Sequence, residues 1–257
     1  QALLRVGFHT IDAGSFVSPK AVPQMADTED ILTALDLSDT DSKLLVILAN
    51  ERGAEQAESF PYLGYWGYPL SVSETFQQRN TKQTIQEGME MAKRLAERAN
   101  RSCAELVVYI SMGFGNPYGE PWSYEIVEKW IDKLSDLKIQ VISLSDTIGT
   151  AVPDDIFNIF SNIIPRYTQV EFGAHFHTRP DDWFKKIDSA YRAGCKRFDG
   201  AIQGFGGCPM AKDELTGNLP TEKLISYFNS INKKPNINSL NFESCYNHAL
   251  RLFNDFK

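Results

Sequence analysis

Short apolar and β-branched runs recur along the chain, each followed by a longer stretch in which apolar residues return every three or four positions. The runs that read as strands are Val6–Asp12, Lys43–Leu48, Tyr65–Ser71, Leu106–Ser111, Val141–Asp146, Val170–His177 and Arg197–Ile202. Between them, segments such as Thr84–Ala99 and Ser123–Leu137 carry the helical period. Strands alternating with helices through a whole chain predict an α/β fold built on a parallel sheet with right-handed crossovers. No linker-like stretch, repeat or composition break divides the 257 residues, so a single domain spanning 1–257 is expected.

Seven strands leave two architectures open. One is a doubly wound open sheet; the other is a (β/α)8 TIM barrel lacking its first strand–helix unit in this chain. Ala2–Arg5 reads as the end of an amphipathic helix stopped near Gly7, which implies an earlier strand–helix unit upstream of Gln1 and favours the barrel.

Composition narrows the function more than the fold. Lysine plus arginine total 26 against 33 acidic residues, a net charge of −7, so there is no global field to attract a nucleic acid. No apolar run approaches the ~20 residues of a membrane span, and Gln1–Arg5 lacks the features of a signal peptide. The four cysteines (Cys103, Cys195, Cys208, Cys245) are scattered without a Cys-x-x-Cys pair, which fits a reduced, cytoplasmic setting better than a disulfide framework. Cys103, Cys195 and Cys245 read as ordinary helix or core thiols.

Two of the four histidines, His175 and His177, occupy alternate positions at a strand end. Residues i and i+2 share a strand face, so both imidazoles point one way, with Phe176 on the other. At the C-terminal face of a barrel they could share a divalent cation; in isolation, two half-exposed strand-end histidines explain the pattern as well. Gly204-Phe205-Gly206-Gly207-Cys208-Pro209 follows the last strand, and its glycines leave Cys208 without bulky neighbours, free to act as a proton donor if its surroundings tune it. Leu215–Lys223 reads as a turn into a helix capped by Thr221, with Asn218 offering an amide oxygen suited to a hard cation. Asp12 and Asp146 close the first and fifth strands, either as turn formers or as carboxylates of a site on the same face. His9 and His248 have no comparable partners.

Together these residues resemble the hydroxymethylglutaryl-CoA lyases of the metal-dependent DRE-TIM superfamily, which also includes isopropylmalate and homocitrate synthases. The resemblance runs through Ser15-Phe16-Val17-Ser18-Pro19-Lys20, Val22-Pro23-Gln24-Met25, Ser143-Leu144-Ser145-Asp146-Thr147-Ile148-Gly149, the Gly-Gly-Cys-Pro loop and Gly217-Asn218-Leu219-Pro220-Thr221-Glu222. The first two strings favour the lyases over the synthases. The resemblance implies a TIM barrel and a metal site of His175, His177 and Asn218. It implies catalytic roles for Cys208, Asp12 and Glu222, and substrate binding at Asp146 and Thr147. The implied cofactor is Mg²⁺ or Mn²⁺ and the implied partner an acyl-CoA substrate, with a homodimer as the expected assembly and neither nucleic acid nor membrane.

The implied reaction is the retro-Claisen cleavage of 3-hydroxy-3-methylglutaryl-CoA to acetyl-CoA and acetoacetate, as in leucine degradation and ketone-body metabolism. A forward Claisen synthase and a non-catalytic barrel are the alternatives. The family's Arg-Asp-Gly-x-Gln motif does not occur in these 257 residues. Gln203, Phe205 and Met210 also depart from the usual loop pattern, and the segment between Cys208 and Asn218 is one residue longer than usual.

Overall fold

The computed structural model describes residues 1–207 and 216–254. Seven strands, β1 (Thr10–Ser15), β2 (Lys43–Ile47), β3 (Leu63–Ser71), β4 (Glu105–Ser111), β5 (Val141–Asp146), β6 (Glu171–Phe176) and β7 (Arg197–Asp199), form one sheet in sequence order. Every neighbouring pair is parallel. The sheet curls into a half-barrel with the connecting helices on its outer side. These are α1 (Thr28–Ala34), α2 (Glu51–Glu58), α3 (Glu74–Thr81), α4 (Ile85–Arg101), α5 (Tyr124–Asp136), α6 (Pro153–Arg166) and α7 (Trp183–Arg192); α8 (Thr221–Ser230) and α9 (Ser239–Asn254) follow the last strand.

Local sequence explains where these elements begin. The Thr84 hydroxyl accepts from the Glu87 amide while the Glu87 carboxylate accepts from the Thr84 amide, a reciprocal cap that starts α4. Met89, Ala92, Leu95, Ala96 and Ala99 then bury one face of that helix against β3 and β4. Ser123 caps α5, and Pro153 opens α6 where its missing N–H costs no helical bond. The larger core lies between sheet and helices and includes the fully buried Trp66, Phe160 and Phe176, each worth about 1.5–3 kcal/mol of burial. Leu45, Tyr65, Val107 and Val141 form a separate, smaller cluster.

The expected strands are all present, with corrections at both ends of the sheet. The first begins at Thr10 rather than Val6. Leu3–Arg5 is a single 3-10 turn, not the end of an α-helix; Gly7 at φ +90° redirects the chain, and pairing to β2 starts at the His9 carbonyl. The last strand ends at Asp199 rather than Ile202, because Ala201 pairs with Pro220 and Ile202–Gly204 makes a 3-10 turn. Thr221 is the first residue of α8 rather than its cap, and Pro220 occupies the cap position. Cys195 and Cys245 are buried as expected, whereas Cys103 is exposed in the left-handed turn after α4.

Neither β1 nor β7 has a second strand neighbour among the described residues. Helix α9 reaches from one end of this open side to the other. Near its start the Asn241 amide donates to the Arg5 carbonyl at 2.7 Å and Phe242 meets Phe8 edge to face. Near its end Phe253 stacks on Phe205 with ring centres 4.0 Å apart. A cleft of about 2320 Å³ follows the open side and ends at the C-terminal edge of the sheet.

Candidate active site

The C-terminal ends of β6 and β7 and the middle of β1, which runs on to Ser15 instead of ending at Asp12 as expected, bring Asp12, His175, His177 and Asp199 to the cleft, with Asn218 beside His177. The two imidazoles lie on one side of β6 as the period of the strand predicts, with ring centres 5.7 Å apart. Phe176 points the other way, into the outer core against Phe114.

Both histidines are held through Nδ1. Across the β6–β7 ladder His175 is the register partner of Asp199, and its Nδ1 donates to Asp199 Oδ2 at 3.1 Å. Ser143 Oγ donates to the same oxygen at 3.3 Å, and Tyr109 meets the His175 ring edge to face at 5.4 Å. His177, one residue past β6, donates from Nδ1 to the Thr216 carbonyl at 2.9 Å. It is only 3% exposed, and burial, reinforced by His175, lowers its pKa to about 4. His177 is therefore neutral at physiological pH. In the neutral His177 ring Nε2 keeps its lone pair, the state a metal ligand needs, and in both rings the partner at Nδ1 fixes the orientation.

Asn218 is brought beside His177 by a short antiparallel bridge. Its Nδ2 donates to the Phe205 carbonyl at 2.9 Å, which fixes the amide flip and leaves Oδ1 as an acceptor. Two imidazole nitrogens and an amide oxygen, each already oriented, fit a divalent cation that takes its remaining ligands from water or substrate. Among the described residues no group of three His, Cys, Asp or Glu side chains is placed to hold a metal ion.

Asp12 lies at an irregularity in β1 where the register to β2 shifts between Asp12 and Gly14, and its Oδ1 accepts the Gly14 amide at 3.3 Å. Solvent in the open cleft reaches the side chain. The surrounding walls nonetheless lift its carboxyl to about 7, with Asp199 adding to the rise and the Gly14 amide and His175 opposing it.

The other expected site residues divide. Thr147 lines the cleft, but its hydroxyl oxygen accepts from the Met112 amide at 2.8 Å. Asp146 does not line the cleft: it is 1% exposed, with Oδ1 accepting from the Thr150 and Ala151 amides and Oδ2 from Lys186 Nζ at 2.8 Å. Burial pushes its carboxyl above the usual aspartate range while Lys186 and the two amides pull back. Both of its oxygens are taken up inside the protein, so the position expected to bind substrate instead holds the turn after β5. Glu222 also stands outside the cleft, where Oε2 accepts the Gln203 amide at 3.0 Å at the entrance to the glycine loop. Cys208 lies outside the described residues. Sequence reasoning passed over Asp199, although it ends a strand at the same face as Asp12 and Asp146, and it passed over Lys186.

Comparison with known proteins supplies the class: a carbon–carbon lyase of barrel type. The HMGL-like family profile matches residues 1–247, and the chain belongs to that family. It is 31% identical over 226 residues to the hydroxymethylglutaryl-CoA lyase of Pseudomonas mevalonii, covering 87% of this chain and 73% of that protein. It is 30% identical over 241 residues to the (R)-citramalyl-CoA lyase of Chloroflexus aurantiacus, covering 90% and 75%. The crystal structure of the HMG-CoA lyase of Bacillus subtilis superposes with a TM-score of 0.91 at 26% identity, covering 98% of this chain and 84% of that one. Among the described residues no helix is long and apolar enough to cross a membrane.

Proposed function

We propose that this protein is a divalent-cation-dependent carbon–carbon lyase that cleaves 3-hydroxy-3-methylglutaryl-CoA to acetyl-CoA and acetoacetate, from a single barrel-type domain. The observation that carries the reading is the pair His175 and His177, each with Nδ1 committed and Nε2 free, beside the free Oδ1 of Asn218. These three residues would hold Mg²⁺ or Mn²⁺. When bound, the cation supplies chelation of the substrate's tertiary hydroxyl and a neighbouring oxygen, acidifying that hydroxyl.

Asp12, whose carboxylate lines the cleft with His175, is placed to accept the hydroxyl proton. As the hydroxyl carbon becomes the ketone of acetoacetate, the bond to the neighbouring carbon breaks. Its electron pair moves into the thioester as an enolate. Cys208 is the proposed donor of the proton that converts this enolate to acetyl-CoA. Glu222 acts on the loop that carries Cys208 by holding the Gln203 amide, and Thr147 contributes to the cleft wall.

The test is release of acetoacetate from the thioester by the purified protein with Mg²⁺ or Mn²⁺. Turnover is expected to vanish with EDTA and to fall by orders of magnitude in His175→Ala and His177→Ala. No cleavage, or cleavage indifferent to EDTA and to both substitutions, overturns the reading. The citramalyl-CoA lyase relative supports a second acyl group on the same chemistry, so citramalyl-CoA is the competing substrate in the assay. Condensation of acetyl-CoA with a keto acid without net cleavage would indicate a synthase.

A further inference from the structure

Lys186 lies on α7, one turn into the helix that follows the metal-site loop, and it is 1% exposed. Its ammonium sits among four oxygens: Asp146 Oδ2 at 2.8 Å, the Gly149 and His177 carbonyls at 3.0 Å each, and Asp182 Oδ2 at 3.2 Å. A buried cation with this many acceptors is fully compensated, and removing it leaves buried negative charge.

What its partners do gives the cluster its meaning. Gly149 belongs to the turn after β5, which Asp146 holds through the Thr150 and Ala151 amides. The Thr216 hydroxyl rests on that turn, donating to the Ile148 carbonyl at 3.3 Å. The Thr216 carbonyl in turn accepts the His177 Nδ1 proton. The His177 amide donates to the Asp146 carbonyl, which closes the ring of contacts. Lys186 thus grips the backbone of His177 directly and, through the Gly149 turn, supports the group that orients its imidazole.

We propose that Lys186 is a positioning residue for His177, setting the tautomer and aim of that imidazole from behind the cleft. The link to metal binding rests on the lyase reading above; the effect on the ring does not. Lys186 does not line the cleft and touches neither substrate nor reacting atoms.

The test uses ¹⁵N NMR of the histidine side chains in metal-free protein, together with Mn²⁺ titration calorimetry. In the wild type His177 should show the Nδ1-protonated tautomer. Two variants are compared: Lys186→Met, and the doubly neutral Lys186→Gln/Asp146→Asn, which removes both charges and keeps polar groups for the turn. In either folded variant His177 should become a mixture of tautomers, with Mn²⁺ affinity down about 10–100-fold. A folded variant with an unchanged His177 tautomer overturns the proposal. So does failure of both variants to fold, since Lys186 would then serve the fold at large. A changed tautomer with no lyase activity in the wild type supports the positioning role and rejects the functional reading alone.

Discussion

His175 and Asp199 are register partners on β6 and β7, joined Nδ1 to Oδ2 at 3.1 Å, and this pairing makes a strand-end carboxylate into the orienting group of an imidazole. Ser143 donates to the same carboxylate oxygen from the other neighbouring strand, so three adjacent strands define one ring. Asp199→Asn can keep the shape while losing the carboxylate that orients the imidazole. Mn²⁺ affinity in the purified protein should fall about 10–100-fold, with the thermal midpoint little changed. Unchanged affinity by calorimetry would mean that Asp199 does not act through His175.

His177 makes stability depend on pH in a defined window. Its ordinary pKa of 6.5 is lowered to about 4 by burial, so the unfolded chain binds the proton more readily than the native one between those values. The contribution is fully present above pH 6.5 and is lost as pH falls through 4. Its size is roughly 3 kcal/mol, the order expected of a shift of this size at a buried group. Urea unfolding of metal-free protein at pH 7 and pH 4 should show this loss, and His177→Asn should remove most of the histidine's share. Identical pH slopes in the two proteins would show that His177 titrates normally.

Much of the frame was legible in the sequence because a parallel sheet covered by helices buries whole strands. Val141–Asp146, buried at every position, therefore stands out as a contiguous run and has the expected limits. The ends of the sheet were harder to place. Val6 and Phe8 look like strand residues, but they serve contacts to α9 and to the Ser42 hydroxyl instead. At the site, the alternation of His175 and His177 was visible from the strand period. The partner of His175 was not, because it depends on the register of a strand 24 residues further on. Lys186 sits next to Lys185, and composition cannot tell them apart. Only helix phase, which aligns Lys186 with the buried Ile187 and Ala190, marks it as internal.

Gly173 lies two residues below His175 on the same strand, between Ser143 on β5 and Arg197 on β7. A β-carbon there would come within 2.9 Å of Ser143 Oγ and 3.1 Å of Arg197 Cδ. Gly173→Val should therefore destabilise the protein by about 1–3 kcal/mol through overpacking. It should also disturb the Ser143–Asp199–His175 chain, weakening Mn²⁺ binding beyond what Gly173→Ala does. Chemical denaturation and Mn²⁺ titration together test this, and a Val variant as stable as the wild type would show that the strands can spread at no cost.

Glu222 belongs to the first turn of α8, yet its carboxylate serves the other end of the segment that contains Cys208. Oε2 accepts the amide of Gln203, a non-glycine residue held in the left-handed region at φ +59°. Such a conformation costs of order 1–3 kcal/mol and persists only where neighbours impose it. Without the carboxylate, Gln203 should relax toward ordinary angles, and the loop entering Gly204 should lose its fixed direction. Glu222→Ala is expected to lower kcat about 10–100-fold with a smaller change in KM, while Glu222→Gln, whose amide oxygen can still accept, should recover most of the loss. Hydrogen exchange supplies a readout independent of turnover: the Gln203 amide should be protected in the wild type and in Glu222→Gln, and exchange freely in Glu222→Ala. If all three proteins protect that amide equally while turnover still falls in the alanine variant, Glu222 acts on the substrate itself and the positioning role is wrong.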